Sequence, residues 1–355
     1  MVLDVLTMGR ISVDVYPQDI GVGLADVQTF AKYLGGSPSN VAVAAARHGR
    51  TSAVITRTGE DAFGEYLHRE LRKFGVDDSF VTPVAGLQTP VTFCAIMPPE
   101  DFPLYFYGRF PTAPDLQITA DELPLDAVRV AGVFWSTVTG LCREPSRTAH
   151  QAAHRARPRE ALAPDQHTVL DLDFRSMFWA SEEEAREQIA GILPFATVAV
   201  GNTKECSVAV GEGTPDELAD RLLALGVRLA VVKLGAGGVL GKTAAERVVS
   251  APVPVRTVNG LGAGDAFGGA LCHGLLAGWP LGAVLDYANA AGALVASRIS
   301  CADAMPSPGE VLGLLTERGR MGPDLPDLPD LSERPPNLTK VPEVPEVPEV
   351  PEVTR

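Results

Sequence analysis

The chain has 355 residues, 46% of them hydrophobic, and carries a net charge of −14. That is ample for one large core, and an acidic body excludes nucleic acid, whose phosphates need a basic face, though backbone N–H groups can still hold a small phosphorylated ligand. Five cysteines, far apart and without a CxxC pair, exclude a disulfide framework and a cysteine metal site; with no basic leader and no apolar run of about 18 residues, the expectation is a cytoplasmic protein without a membrane span.

In chain order, "VLTMG" reads as a short strand ending in glycine, and "NVAVAAARHG" as a helix stopping at Gly49. "TSAVITRTG" reads as a strand. "DAFGEYLHRELRKFG" reads as a helix with Phe63, Leu67, Leu71 and Phe74 on one face. The rhythm resumes with "HTVLDLD" (strand), "SEEEAREQIAGIL" (helix opened by Ser181), "TVAVGN" (strand), "PDELADRLLALG" (helix) and "RLAVVKLG" (strand). It closes with helices near 263–277, 281–297 and 307–318. Such alternation predicts an α/β fold with a mostly parallel sheet covered on both faces. "SVDVYPQ" and "TPVTFCAIMPPEDFPLYFYG" break the rhythm, being β-rich with no following helix, and predict a small β lid over about 12–30 and 88–112.

"DLPDLPDLS" and "VPEVPEVPEVPEV" repeat every three residues with proline in each unit. Proline blocks helix and removes a donor, so 321–355 is expected to be an extended, disordered acidic tail after a domain of 1–320. Eight acids against three bases from Gly322 to Arg355 place −5 of the net charge there.

Four stretches carry candidate chemistry. In "NGLGAGDAF" Gly260, Gly262 and Gly264 let successive N–H groups turn toward one point at the start of an apolar helix. Asp265 follows at once, either as a helix cap or as a chemical group. "LGGSPSNVAVAAARHG" brings a glycine pair, Gly35 and Gly36, and Asn40 to another helix start; alone, Asn40 reads as a cap. "NTKE", Asn202 to Glu205, sits at the carboxyl end of a predicted strand, where α/β sheets build their sites, or simply starts a helix. "KLGAGG", from Lys233, also follows a strand, or forms a plain left-handed turn.

"GGSPSN" with "AAARHG", "GLGAGDAFGGAL" and "NTKE", in this order, resemble the signatures of the ribokinase-like (PfkB) carbohydrate kinases over about 1–318. The resemblance implies a ribokinase-like three-layer sandwich with a small β lid, and ATP and Mg²⁺ as cofactors. It implies that Asp265 is the general base toward a sugar hydroxyl and that Gly262, Ala263 and Gly264 form an anion hole for the transferred phosphoryl group. It assigns Asp14, Gly35, Gly36 and Asn40 to the sugar. Asn202 and Glu205 fall to Mg²⁺ and its waters, Lys233, Gly235 and Gly237 to the nucleotide loop, and Asn289 to the adenine pocket.

"GRISVDVYPQ", "PVTFCAIMPPEDFPLYFY" and "APDLQI" are similar to the branch that phosphorylates 5-dehydro-2-deoxygluconate in myo-inositol catabolism. A sugar acid needs an arginine to read its carboxylate. The candidates are Arg109 in the lid and Arg175 in "DLDFR", the latter also fitting a surface salt bridge. 2-Keto-3-deoxygluconate, a ketohexose such as fructose, and a non-catalytic sugar-binding regulator stay open. Asn259 stands where relatives carry an aspartate associated with a monovalent cation, which argues against K⁺ activation. A homodimer would form through the lid.

Ordering the tail would cost about 1–2 kcal/mol per residue with little apolar surface to offset it. Truncation after Arg320 is therefore expected to leave melting temperature and turnover unchanged; a fall of several degrees would show that the tail docks on the body.

Overall fold

Many apolar runs in this chain end in a glycine or polar turn that releases them into a helix, and the structure follows that alternation. It is a computed structural model that describes residues 2–98 and 102–320; the tail lies outside the described residues. Strand β1 (Val5–Met8) passes through Gly9–Ile11 into β2 (Ser12–Pro17). β3 (Phe30–Gly35) leads into α1 (Ser37–Arg47), and β4 (Ser52–Gly59) into α2 (Ala62–Lys73). Short strands β5 (Val76–Asp77) and β6 (Val81–Val84) precede β7 (Val91–Cys94) and β8 (Leu104–Tyr107). α3 (Leu125–Val130), β9 (Val133–Thr137), α4 (Ser146–Arg155) and β10 (His167–Asp171) follow. Next come α5 (Glu182–Ile192), β11 (Val198–Asn202), α6 (Thr203–Val210), α7 (Pro215–Ala224) and β12 (Leu229–Lys233). The hairpin β13 (Val239–Lys242) and β14 (Arg247–Ser250) precedes α8 (Ala263–Leu276), α9 (Leu281–Ala296) and α10 (Pro308–Glu317).

Among the described residues the large sheet runs β14-β13-β12-β11-β10-β9-β1-β4-β5, with β6 also on β4. From β12 to β4 every pairing is parallel, and the edge is antiparallel, β13 pairing so with both β12 and β14. Alternate residues feed opposite layers. Val198, Val200 and Val231 pack with α8, α9 and α10, while Ala199, Ala230 and Val232 pack with α5, α6 and α7. The parallel order leaves Met8, Asp171, Asn202 and Lys233 at one edge, where their loops converge.

The smaller sheet, in order β3-β2-β7-β8, is the lid. Ser12, Asp14 and Tyr16 alternate along β2 toward the body. Phe30, Tyr105 and Tyr107 stay exposed, with Phe30 and Tyr107 edge-on to Phe93.

Two readings of the sequence need correcting. Phe63 is 41% exposed in the first turn of α2; Tyr66, whose hydroxyl donates to the Lys32 carbonyl, joins Leu67, Leu71 and Phe74 in the core instead. The predicted elements also omit β9 and α4. β9 is buried throughout at the sheet centre, so it shows no alternation. In α4 the buried positions include His150 and His154, which disguise the apolar face.

α8 lies against α1 with almost nothing between them. A Cβ on Gly269 would come 2.3 Å from the Ala44 Cβ and 2.8 Å from the Ala45 nitrogen. Both neighbours are fixed to backbone and cannot rotate away. Gly269→Val is expected to cost about 2–3 kcal/mol and to lower Tm by about 4–10 °C. An unchanged Tm would mean that the helices are not in close contact there.

Candidate active site

Two helices begin at the converging edge, and each is opened by a glycine in a left-handed or similarly restricted conformation. Gly36 (φ 98°) caps α1 and Gly262 (φ 79°) caps α8. Neither helix has a side-chain cap, so the capping readings of Asn40 and Asp265 do not hold. Both residues sit in or just beyond the first turn, where they reach across to each other: Asn40 Nδ2 donates to Asp265 Oδ2 at 2.8 Å. The first N–H groups of α8 have no partner within the helix. Asn202, by contrast, does cap α6. Glu205 N donates to Asn202 Oδ1 at 2.9 Å and Asn202 N to Glu205 Oε2 at 2.7 Å, leaving the other Glu205 oxygen free of the cap.

These elements enclose two cavities. The first, of about 280 Å³, is walled by Asp14, Gly36, Asn40, Gly262, Asp265 and Arg175, and at its far end by Asn202, Glu205 and Lys233. The second, of about 570 Å³, is mostly apolar and lined by Gly235, Ala263, Phe267 and Asn289. Lys233 and Gly264 line both. A Cβ on Gly264 would lie 3.3 Å from Lys233 Nζ, so the ammonium faces the start of α8 at the junction. Asn289 Nδ2 donates to the Ala251 carbonyl at 2.7 Å and pins the second cavity's wall. Gly237 lies in the same turn as Gly235, behind that wall.

Gly35 is a packing requirement of the first cavity, since a Cβ there would fall 2.0 Å from the Asp14 carboxyl carbon. That carboxylate accepts from Ser12 Oγ at 2.9 Å and Tyr16 OH at 3.2 Å. The Tyr16 hydroxyl also lies 2.8 Å from Cys301 Sγ. Neither Ser12 nor Tyr16 was singled out from sequence, although the period of two along β2 puts both on the face of Asp14.

Burial sets the electrostatics. It pushes Asp14 up to about 6 against the bond from Ser12, and raises Asp265 against the bond from Asn40. It raises Asp171 and Glu205 too, both opposed by Lys233. Burial likewise works against charge on Lys233, but Glu205 and Asp171 outweigh it and hold the ammonium above its ordinary value. Asp173 goes the other way: despite burial, Arg175 and Arg10 hold it below the usual carboxylate range.

Arg109 does not stand on the cavity wall. Its Nη1 and Nη2 donate to Asp115 at 2.9 and 3.0 Å, both side chains almost fully buried, and its guanidinium lies 4.6 Å from the Phe178 ring centroid. Arg175 does line the cavity, paired with Asp173 at 2.6 Å. So does Arg10, which sequence reasoning passed over because a lone arginine after a short strand carries no motif. All five cysteines are free and buried, and no helix among the described residues is long and apolar enough to cross a membrane.

An apolar cavity meeting a polar one at a helix N-terminus suits a nucleotide whose phosphates end beside a second substrate. Comparisons agree. A 5-dehydro-2-deoxygluconokinase of Clostridium tetani is 29% identical over 325 residues, covering 89% of this chain and 94% of that protein. Fructokinase-1 of Zea mays is 32% identical, covering 88% and 97%. Among solved structures, a putative ribokinase II from E. coli in complex with ATP and Mg²⁺ shares the fold, with a TM-score of 0.80 at 22% identity, covering 89% of this chain and all of that one. The profile of the pfkB family carbohydrate kinases matches residues 2–308, and the chain belongs to that family.

Proposed function

We propose that this carbohydrate kinase transfers the γ-phosphoryl group of ATP to the terminal hydroxyl of 5-dehydro-2-deoxygluconate, a step of myo-inositol catabolism. The carrying observation is the junction: Lys233 and Gly264 line both cavities, and Asp265 stands on the polar side of it. ATP lies with its base in the apolar cavity near Asn289 and its phosphates running past the turn at Gly235 to the start of α8. The sugar occupies the polar cavity, its hydroxyls on Asp14 and Asn40.

Asp265 takes the proton of the sugar hydroxyl. That oxygen bonds the γ-phosphorus as the bond to the β–γ bridging oxygen breaks, and ADP leaves with the electron pair. The N–H groups of Gly262, Ala263 and Gly264 stabilise the charge on the phosphoryl oxygens, and Lys233 balances the phosphates.

Mg²⁺ fits this edge as a hydrated ion. No three His, Cys, Asp or Glu side chains converge on one point among the described residues, and Mg²⁺ keeps several waters when phosphates supply its remaining ligands. Glu205 has an oxygen free of its cap, and Asp171 Oδ1 is buried without a partner among the described residues. When bound, the ion neutralises phosphate charge. The amide of Asn259 is spent on the Ile299 carbonyl (2.5 Å) and the Leu261 N–H (3.0 Å) and offers no carboxylate to a monovalent cation, so the proposal includes no K⁺ requirement.

Relatives named 5-dehydro-2-deoxygluconokinase favour a sugar acid, and the maize enzyme keeps fructose as the second reading. An ADP-release assay on both sugars and 2-keto-3-deoxygluconate decides: the 5-dehydro acid is expected to have the highest kcat/KM. Equal efficiency on fructose would overturn the substrate assignment, and no turnover of any sugar would leave a sugar-binding regulator.

Asp265→Asn is expected to lower kcat by about 10²–10⁴-fold while ADP binding persists. In the wild type, Asp265 acts only when ionised, and burial raises its pKa. Activity should therefore be full at neutral pH and fall on acidification with an inflection above the ordinary carboxylate value of about 4. A variant retaining more than about a tenth of the rate would remove Asp265 from the chemistry.

A further inference from the structure

The geometry points to Arg10, not Arg109, as the residue that reads the carboxylate of the sugar acid. The inference rests on the reading above and names its specificity-determining side chain. Arg10 leaves the carboxyl end of β1 and lines the polar cavity, with its guanidinium carbon 5.8 Å from the ring centroid of Phe106 on lid strand β8.

Its donors are largely unspent. A guanidinium has five N–H bonds in a planar fork. Arg10 makes one side-chain hydrogen bond among the described residues, Nη2 to Asp173 Oδ2 at 3.3 Å, and its Nε has no partner there. Two other buried arginines are more fully occupied, although the Arg109 Nε also has no partner among the described residues. Arg157 donates to Thr168 Oγ1 and to four backbone carbonyls, and Arg109 has both terminal nitrogens on Asp115. An arginine held in a cavity with donors to spare is built to be completed by a ligand.

The ion pairs around Arg10 bear on the ligand it would take. Arg10 and Arg175 share a single carboxylate, Asp173, at 3.3 and 2.6 Å. The cavity's other carboxylates, Asp14, Asp171, Glu205 and Asp265, form no ion pair with Arg10 among the described residues, so one carboxylate serves two guanidinium forks. A neutral ketose would leave the spare donors of the Arg10 fork without a planar acceptor in a cavity that Phe106 helps to line, whereas a sugar carboxylate accepts them as a pair. Phosphate is not the better claimant, because the phosphates approach through the junction of Lys233 and Gly264, and Arg10 lines only the sugar cavity. Arg175 lines the same cavity, paired with Asp173 at 2.6 Å, whereas Arg10 lies against Phe106 of the lid.

The test is calorimetric titration of the ADP- and Mg²⁺-saturated enzyme with 5-dehydro-2-deoxygluconate and, separately, with fructose. Wild type should prefer the acid. Arg10→Met should weaken the acid by about 10–100-fold, the range of a charged hydrogen bond, and fructose by less than threefold. Arg10→Lys keeps the charge but not the fork and should fall between. It also serves as the reporter if the Met variant no longer binds ADP and is therefore misfolded. An acid preference retained in Arg10→Met, or acid binding unchanged in Arg10→Lys, overturns this inference alone. Equal weakening of both sugars also overturns it, making Arg10 a support for Asp173. A wild type that binds both sugars equally overturns the sugar-acid reading along with it.

Discussion

The hydrogen bond from Asn40 to Asp265 joins residues 225 positions apart and fixes the relation of two helix N-termini. Both helices enter from glycine, both lack a side-chain cap, and both therefore present bare N–H groups to the same space. The close crossing of α1 and α8 behind this bond lets the two termini come within reach of one side chain. A carboxylate beside an anion-binding turn would repel its own ligand if it were free to face it. Asn40 ties the Asp265 carboxylate toward α1, and on the proposed reading base and N–H groups then flank the reacting centre from different directions.

Charge in the polar cavity is arranged rather than merely tolerated. Asp14, Asp171, Glu205 and Asp265 are each raised by burial, and Lys233, Arg175 and Arg10 are interleaved with them. On the proposed reading, this is how a protein with net charge −14 receives both ATP and a sugar acid. Its surface charge is mostly remote and screened over about 10 Å, whereas the cations in the cavity act at contact distance and away from water.

The parts of this site that were legible in the sequence are those made by contiguous residues. "GLGAGDAF" and "NTKE" are local structures: a glycine-opened helix and a capping box, each fixed by spacing alone. What escaped is made by the fold. Arg10 and Asp173 are 163 residues apart and meet only because β1 and β10 flank β9 in one parallel sheet. β9 is hidden by complete burial, and α4 by its buried histidines. Arg109 misled because a lid arginine was expected to turn inward; Asp115, six residues on, captures it first. The carboxylate that fixes an arginine decides its role, and sequence does not show which carboxylate that will be.

That captured arginine bears on the mechanics of the lid. The chain crosses between body and lid at Gly9–Ile11, at Gly36, near Thr89 and near Arg109. Thr89 is tied at both its nitrogen and its hydroxyl to Asp61, and Arg109 is tied to Asp115. These crossings gather at one end of the four strands, where Ser12 pairs with Gly35 and Val91 with Tyr107. Toward the other end, Tyr16 and Leu104 rest on Cys301, Leu261 and Ile299 largely through apolar contact, which has no preferred direction. Any rotation of the lid therefore pivots about the stitched end, and displacement grows toward the rim. Arg10 and Asn40 stand at the pivot and move least. The polar cavity is covered by the part of the molecule with the longest travel and floored by the part with the shortest.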